Sequence, residues 1–338
     1  MHVVSSALDR SHGVLAGLAL GDALGMPTQS LSRARIAQRF GRLTDLVDAP
    51  PDQPIAPGMG RGRVTDDTEQ AVLLARELIE GAGHVDAARW SGALDAWERS
   101  MVARRSRDLL GPSTRRAIER IRAGEDPAEA GSSGTTNGAA MRVAPIGLLV
   151  SWAKGVHAVV DRVEEACLPT HHTGTAIAGA AAVACAVAAA VDGHPLDTVL
   201  DAALDGARLG ERRGTGVPGP SVAARLEWVR HEASRRTGDD LDAWLYDVVG
   251  TTVATAESVP AAFALLPAAV ADPADGLCRA ARLGGDTDTI AAMLGAMTGA
   301  VVGRSGLPDV WCTTVEVVND LHLRQLTADL LDLREVAL

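Results

Sequence analysis

Lysine is almost missing from these 338 residues: Lys154 is the only one, so the positive charge is carried by arginine. Aromatic residues are nearly as scarce at 3%, although 47% of the chain is hydrophobic. The apolar content is therefore mostly Ala, Leu and Val, and small side chains in bulk imply helices that approach one another closely. A net charge of −11 and a pI near 5.3 exclude a general nucleic-acid surface. They leave room for a phosphate held by a few local arginines. No run of alternating β-branched residues stands out, so no sheet is required, and no repeat of fixed period is found. Cys167, Cys185, Cys278 and Cys312 lack CxxC spacing, which favours buried free thiols in a reducing cytoplasm over disulfides or a zinc site. The N-terminus carries no basic segment, and Asp22 interrupts its apolar run, which argues against a signal peptide. The uncharged run 175–191 barely reaches membrane-spanning length and reads as a core helix. The chain is long enough for one large domain or two ordinary ones.

Two acidic stretches are present instead. Gly284-Gly285-Asp286-Thr287-Asp288-Thr289 runs into an Ala/Gly-rich apolar segment, which places its carboxylates on the first turn of a tightly packed helix. Thr65-Asp66-Asp67-Thr68 repeats the chemistry at the start of a second helical pattern. Hard divalent cations such as Mg²⁺ and Mn²⁺ take carboxylate, hydroxyl and water oxygens, and four aspartates with flanking threonines can hold two such ions. Each stretch alone also reads as an N-cap, since Asp and Thr satisfy free N–H groups and complement the helix dipole. A cap needs one such side chain, however, and paired carboxylates at two helix starts repel unless something positive lies between them. Together they favour metal.

Along the chain, 12–25 reads as a first helix with Val14, Leu15, Leu18 and Leu24 on one face, and Gly13, Ala16, Gly17 and Gly21 permitting close contact. Residues 42–64 form an ordered loop; Gly58, Gly60 and Gly62 could cradle a phosphate, but without a preceding strand plain loop glycines are favoured. Helical patterns follow over 68–80, 86–103 and 113–123; the second carries a core stripe of Trp90, Leu94, Trp97 and Met101. The donor-rich loop 131–138 precedes a helix over 139–152 and offers backbone amides and Asn137 to a nucleotide or sugar, though an ordinary capped loop has the same composition. His171 is expected to bond a ligand hydroxyl or phosphate and His172 to lie on the surface. The Gly- and Pro-dense segment 210–221 is the candidate lid.

Taken together, Gly21-Asp22-Ala23-Leu24-Gly25, Thr65-Asp66-Asp67-Thr68, Asn137-Gly138-Ala139-Ala140-Met141-Arg142, Thr170-His171 with Ala176, and Gly284 to Thr289 resemble the ADP-ribosylglycohydrolase family. That group includes the dinitrogenase-reductase-activating glycohydrolases and the ADP-ribosyl-arginine and ADP-ribosyl-serine hydrolases. The five motifs fall in the family's order across almost the whole chain. The resemblance implies one all-α domain over 1–338, a compact orthogonal bundle whose cleft holds two Mg²⁺ or Mn²⁺ ions and binds ADP-ribose or an ADP-ribosylated substrate. By position, Thr65, Asp66, Asp67, Asp286, Asp288 and Thr289 would be the metal ligands. Asn137, Gly138, Met141 and Gly285 would face the ADP-ribose, with His171 near its ribose or phosphate.

The chain departs from the family at Gln29, where members with established hydrolase activity commonly have Glu. An amide coordinates through its carbonyl oxygen but takes no proton, so catalysis falls on Asp67, with Asp66 and Gln29 beside it. A glycohydrolase acting on an ADP-ribosylated side chain or small molecule is the leading reading. A hydrolase of another ribosylated metabolite or nucleoside, and a silent ADP-ribose-binding module, are the alternatives.

Overall fold

Where most helical proteins interlock bulky side chains, the two helices at the centre of this one meet backbone to backbone. The computed structural model describes residues 6–104, 106 and 110–336. The helix Ala7–Gly25 lies along Thr287–Val302, and glycine occupies nearly every crossing point. A Cβ on Gly17 would stand 2.1 Å from the Gly295 carbonyl oxygen, and one on Gly21 would stand 1.9 Å from that of Ala291. Glycine costs a helix interior about 1 kcal/mol relative to alanine, and this contact is what the omitted side chains permit. Since the obstructing atoms are backbone, they cannot swing aside. Gly21→Val is therefore expected to destabilise by about 3 kcal/mol or more, above the usual range for overpacking. Chemical denaturation measures it, and a midpoint equal to that of the unaltered chain would contradict this packing.

The last of these glycines sets the site. A Cβ on Gly25 would fall 2.4 Å from Asp288 Cα, so the end of the first helix abuts the acidic start of the second. Around this pair wrap Asp66–Glu80, Ala87–Ala103, Pro112–Arg122, Gly174–Val191, Leu196–Gly210 and Thr255–Ala271. The helix Gly174–Val191 is long and apolar enough to cross a membrane, but 94% of it is buried in the protein, where it serves as the core helix expected. Trp90, Leu94, Trp97 and Met101 are buried, and all four cysteines are buried and free. The fold is all-α; β pairing among the described residues is confined to three isolated bridges.

Three local expectations are corrected. The helix proposed over 139–152 is two short ones, Gly138–Arg142 and Ala144–Leu149, followed by a 3₁₀ turn. Pro145 has no N–H to continue the first and begins the second instead. The first helix starts five residues earlier than its apolar pattern, capped by Ser6 on Asp9 N–H. Residues 211–221 do not cover the cleft. They pack on the start of Gly174–Val191, where Thr215 bridges Thr173 and its carbonyl accepts from Gly174 N–H.

Candidate active site

Both acidic helix starts face one cleft of about 220 Å³. At the first, Thr65 is the N-cap residue and Asp66 and Asp67 open the helix. The Thr65 hydroxyl accepts from Asp67 N–H at 3.4 Å, and a second capping acceptor comes from elsewhere. Asp22, fully buried on the first helix, accepts from Thr65 N–H (3.1 and 2.9 Å) and Thr68 N–H (3.1 Å), and its oxygens lie 2.8 and 2.5 Å from the two threonine hydroxyls. At the second start, Asp286 occupies the N-cap position, yet its carboxylate accepts no N–H of its own helix. It is held by Asn137 Nδ2 at 2.5 Å, and that amide also donates to Ser258 Oγ at 3.0 Å. Capping therefore does not account for the four aspartates.

The two starts meet through Thr289, whose hydroxyl donates to Asp67 Oδ2 at 3.3 Å; the Thr65 hydroxyl lies 3.2 Å from the same oxygen. Asp67 Oδ1 and Asp288 Oδ1 are buried without any partner. Burial pushes both carboxyls well above the usual aspartate range, and the neighbouring aspartates push them further. Burial also raises Asp286, against the opposing Asn137 bond, and raises Asp22 to about 6 in spite of its four donors.

Orphaned buried carboxylate oxygens next to threonine hydroxyls are a hard-oxygen donor set, which suits Mg²⁺ or Mn²⁺. Among the described residues no three His, Cys, Asp or Glu side chains already converge as ligands of one ion. An entering ion therefore has to draw the uncommitted oxygens toward itself. The residues fit divalent cations in chemistry and charge.

A linkage follows. Raised by burial, these aspartates release their protons at higher pH than unfolded carboxylates, which do so near pH 4. Their contribution to stability is full below that pH and is lost as pH rises through the raised native values, Asp22 at about 6 among them. Saturating Mn²⁺ should thus raise the melting temperature more at pH 8 than at pH 5 in differential scanning fluorimetry. A larger gain at pH 5 would contradict it.

Gln29, Asp66, Asp286, Asp288, Thr289, Asn137, Gly138 and Met141 line the cleft. The remaining candidates stand otherwise. Asp67 and Thr65, each 1% exposed, lie behind the wall, so of the two aspartates at this start only Asp66 lines the cleft. Gly285 ties the acidic loop to the neighbouring segment: its N–H donates to the Leu31 carbonyl and its own carbonyl accepts from Ser30 N–H. His171 is fully buried, its ring nitrogens 2.9 Å from Thr170 Oγ1 and 3.2 Å from Thr136 Oγ1. It supports the cleft from beneath Gly138. His172 is half-buried and lies 3.2 Å from Glu164 Oε1. Gln29 is 6% exposed and its Nε2 has no partner. Asp22 stands in a family motif without an assigned role in the sequence, and the cleft residues Ile55, Leu110, Thr114, Arg115, Thr136 and Val253 were not foreseen there. A more apolar cavity of about 420 Å³ around Leu200, Leu226 and Phe263 lies apart from these carboxylates.

The sequence profile of the ADP-ribosylglycohydrolase family matches residues 4–337. The uncharacterized protein YegU of Escherichia coli (strain K12) is 35% identical over 335 residues, covering 97% of this chain and 98% of its own. The ADP-ribosylarginine hydrolase Tri1 of Pseudomonas putida (strain GB-1) is 28% identical, covering 96% and 79% respectively. A solved ADP-ribosylglycohydrolase-related protein complex superposes with a TM-score of 0.72 at 26% identity, covering 98% of this chain and 99% of the matched one.

Proposed function

Because the chain belongs to the ADP-ribosylglycohydrolase family, we propose that it cleaves the glycosidic bond between ADP-ribose and a modified side chain with the help of two divalent ions, Mg²⁺ or Mn²⁺. Asp66, Asp67, Asp286 and Asp288 would hold the ions, with Thr65 and Thr289 as hydroxyl donors. The observation that carries this reading is the pair of partnerless oxygens, Asp67 Oδ1 and Asp288 Oδ1, buried between two facing helix starts at one cleft. Departure of the leaving group builds oxocarbenium character at the anomeric carbon, and bound divalent ions supply Lewis-acid polarisation and orient the ribose hydroxyls.

The protein's own groups do the rest. Asp66, half-buried and lining the cleft, would take the proton from the attacking water, whose oxygen bonds the anomeric carbon, and return it to the departing atom, which leaves with the bonding pair. Asn137 fixes Asp286 and is itself fixed by Ser258. Ile55, Leu110, Met141 and Val253 supply apolar walls that exclude bulk water from the ribose. The four free thiols fit a reducing cytoplasm.

ADP-ribosyl-arginine is the first substrate to assay, since the Tri1 relative is named for it, beside ADP-ribosyl-serine and free nucleosides. ADP-ribose release with Mn²⁺ or Mg²⁺ and none after EDTA is the expected result; full turnover by the chelated protein would overturn the scheme. The partnerless Gln29 amide also favours a second reading, an ADP-ribose-binding module without turnover. In that case calorimetry shows ADP-ribose binding while all substrates persist, and Gln29→Glu creates activity that the unaltered chain lacks.

A further inference from the structure

Behind the cleft lies a cation outside the scheme above. Arg142 ends the helix Gly138–Arg142 with its side chain 1% exposed, its guanidinium 5.2 Å above the Trp90 ring. Buried charges are normally paired, yet among the described residues Arg142 has no ion-pair partner within 4.0 Å. It donates to two neutral acceptors instead, Gln70 Oε1 at 2.6 Å and Thr170 Oγ1 at 2.7 Å.

Each acceptor passes the connection to the cleft. Gln70 Nε2 donates to Asp66 Oδ2 at 2.7 Å. Thr170 Oγ1 lies 2.9 Å from His171 Nδ1, and His171 Nε2 lies 3.2 Å from Thr136 Oγ1 on the cleft wall.

Guanidinium has donors and no acceptor, which fixes the polarity of the Gln70 chain and makes Thr170 an acceptor in the other. Gln70 has to present its carbonyl to Arg142, so its NH₂ faces Asp66 and the Asp66 oxygen must accept. Thr170 accepts from Arg142 and is fully buried, and among the described residues His171 Nδ1 is the one acceptor left for its hydroxyl hydrogen, which therefore points there. Burial, with Arg142 and Arg116 adding to it, keeps His171 neutral, and its single N–H therefore sits on Nε2 and donates to Thr136. The Thr136 hydroxyl lines the cleft and has no other side-chain partner among the described residues, which leaves its hydrogen available to a ligand there.

We propose that Arg142 is a positioning residue that sets the polarity of two buried relays, making Asp66 an obligatory acceptor and Thr136 a hydrogen-bond donor to an acceptor oxygen of the bound ligand. The Asp66 arm rests on the metal reading proposed above; the Thr136 arm does not.

The test uses the full chain, with ¹⁵N NMR of the histidines and calorimetric titration of Mn²⁺ and ADP-ribose. In the unaltered protein His171 should be the Nε2–H tautomer. Gln70→Leu should weaken Mn²⁺ binding about 10-fold, on the scale of lost outer-shell support of metal ligands, and leave the tautomer intact. Thr170→Val should abolish the tautomer preference and weaken ADP-ribose binding several-fold, with Mn²⁺ affinity unchanged within about twofold. Arg142→Met should do both and Arg142→Lys should restore part of each; if Arg142→Met does not fold, the two single-arm variants still decide. An Nδ1–H tautomer in the unaltered protein, or arms that fail to separate, would overturn the proposal. Absence of Mn²⁺ binding to the unaltered protein would refute the metal reading and with it the Asp66 arm, while the tautomer continues to test the other.

Discussion

Asp286→Asn is expected to lower metal-dependent ADP-ribose release by about 10³-fold, the scale of removing one preorganised electrostatic group, while leaving the cation-free protein as stable as before or more so. The two halves of this result belong together. Asn keeps an oxygen to accept from Asn137, so the 2.5 Å contact and the loop it ties survive. What disappears is one negative charge from a set in which Asp67 and Asp288 already sit well above their ordinary ionisation range because burial and like charges oppose them. Removing a charge from a crowded acidic site relieves repulsion when no cation is present and weakens cation binding when one is. Melting curves with and without Mn²⁺, taken beside the turnover assay, separate a lost ion site from a folding defect. A variant that loses activity and also melts several degrees lower without metal would assign Asp286 to the fold instead.

Asp22→Ala is the second large effect and has the opposite signature. It leaves the Thr65 and Thr68 N–H groups and hydroxyls without their shared acceptor in a fully buried place. Each stranded buried donor costs about 1–3 kcal/mol. Part of that is returned because the Asp22 carboxylate is itself disfavoured by burial. A net loss of about 3 kcal/mol is expected, read as a lower denaturation midpoint, together with weaker Mn²⁺ binding because the start of Asp66–Glu80 is no longer held. Asp22→Asn keeps one acceptor oxygen and should fall between. A midpoint within experimental error of the unaltered chain would show that Thr65 caps this helix alone.

The contrast between these acids marks what the sequence could reveal. Asp66, Asp67, Asp286 and Asp288 are legible because each pair stands beside threonines at a helix start, a pattern that survives without knowledge of the fold. The glycines of the first helix are legible as a close-contact face for the same local reason, although which helix they meet is not. Asp22 is legible as an interruption in an apolar run and as part of a family motif, but not as a cap; that role exists because Thr65, 43 residues away, is brought against it. His171 and Gly285 carry the local signature of ligand-facing residues. Their backbone and ring contacts turn them to support the cleft from behind, and that depends on how the loops pair with Thr136 and Leu31. Gly and Pro density over 210–221 marks a turn but does not say what the turn covers. Pro145, by contrast, could have been read as the break it makes.

The measurement that bears most directly on this account is manganese anomalous scattering from crystals of the intact chain grown in saturating Mn²⁺. The account predicts two manganese peaks in the cleft between Asp66 and Asp67 on one side and Asp286 and Asp288 on the other, with Asp67 Oδ1 and Asp288 Oδ1 drawn into oxygen shells. A folded chain whose cleft shows no manganese at those four carboxylates would contradict it.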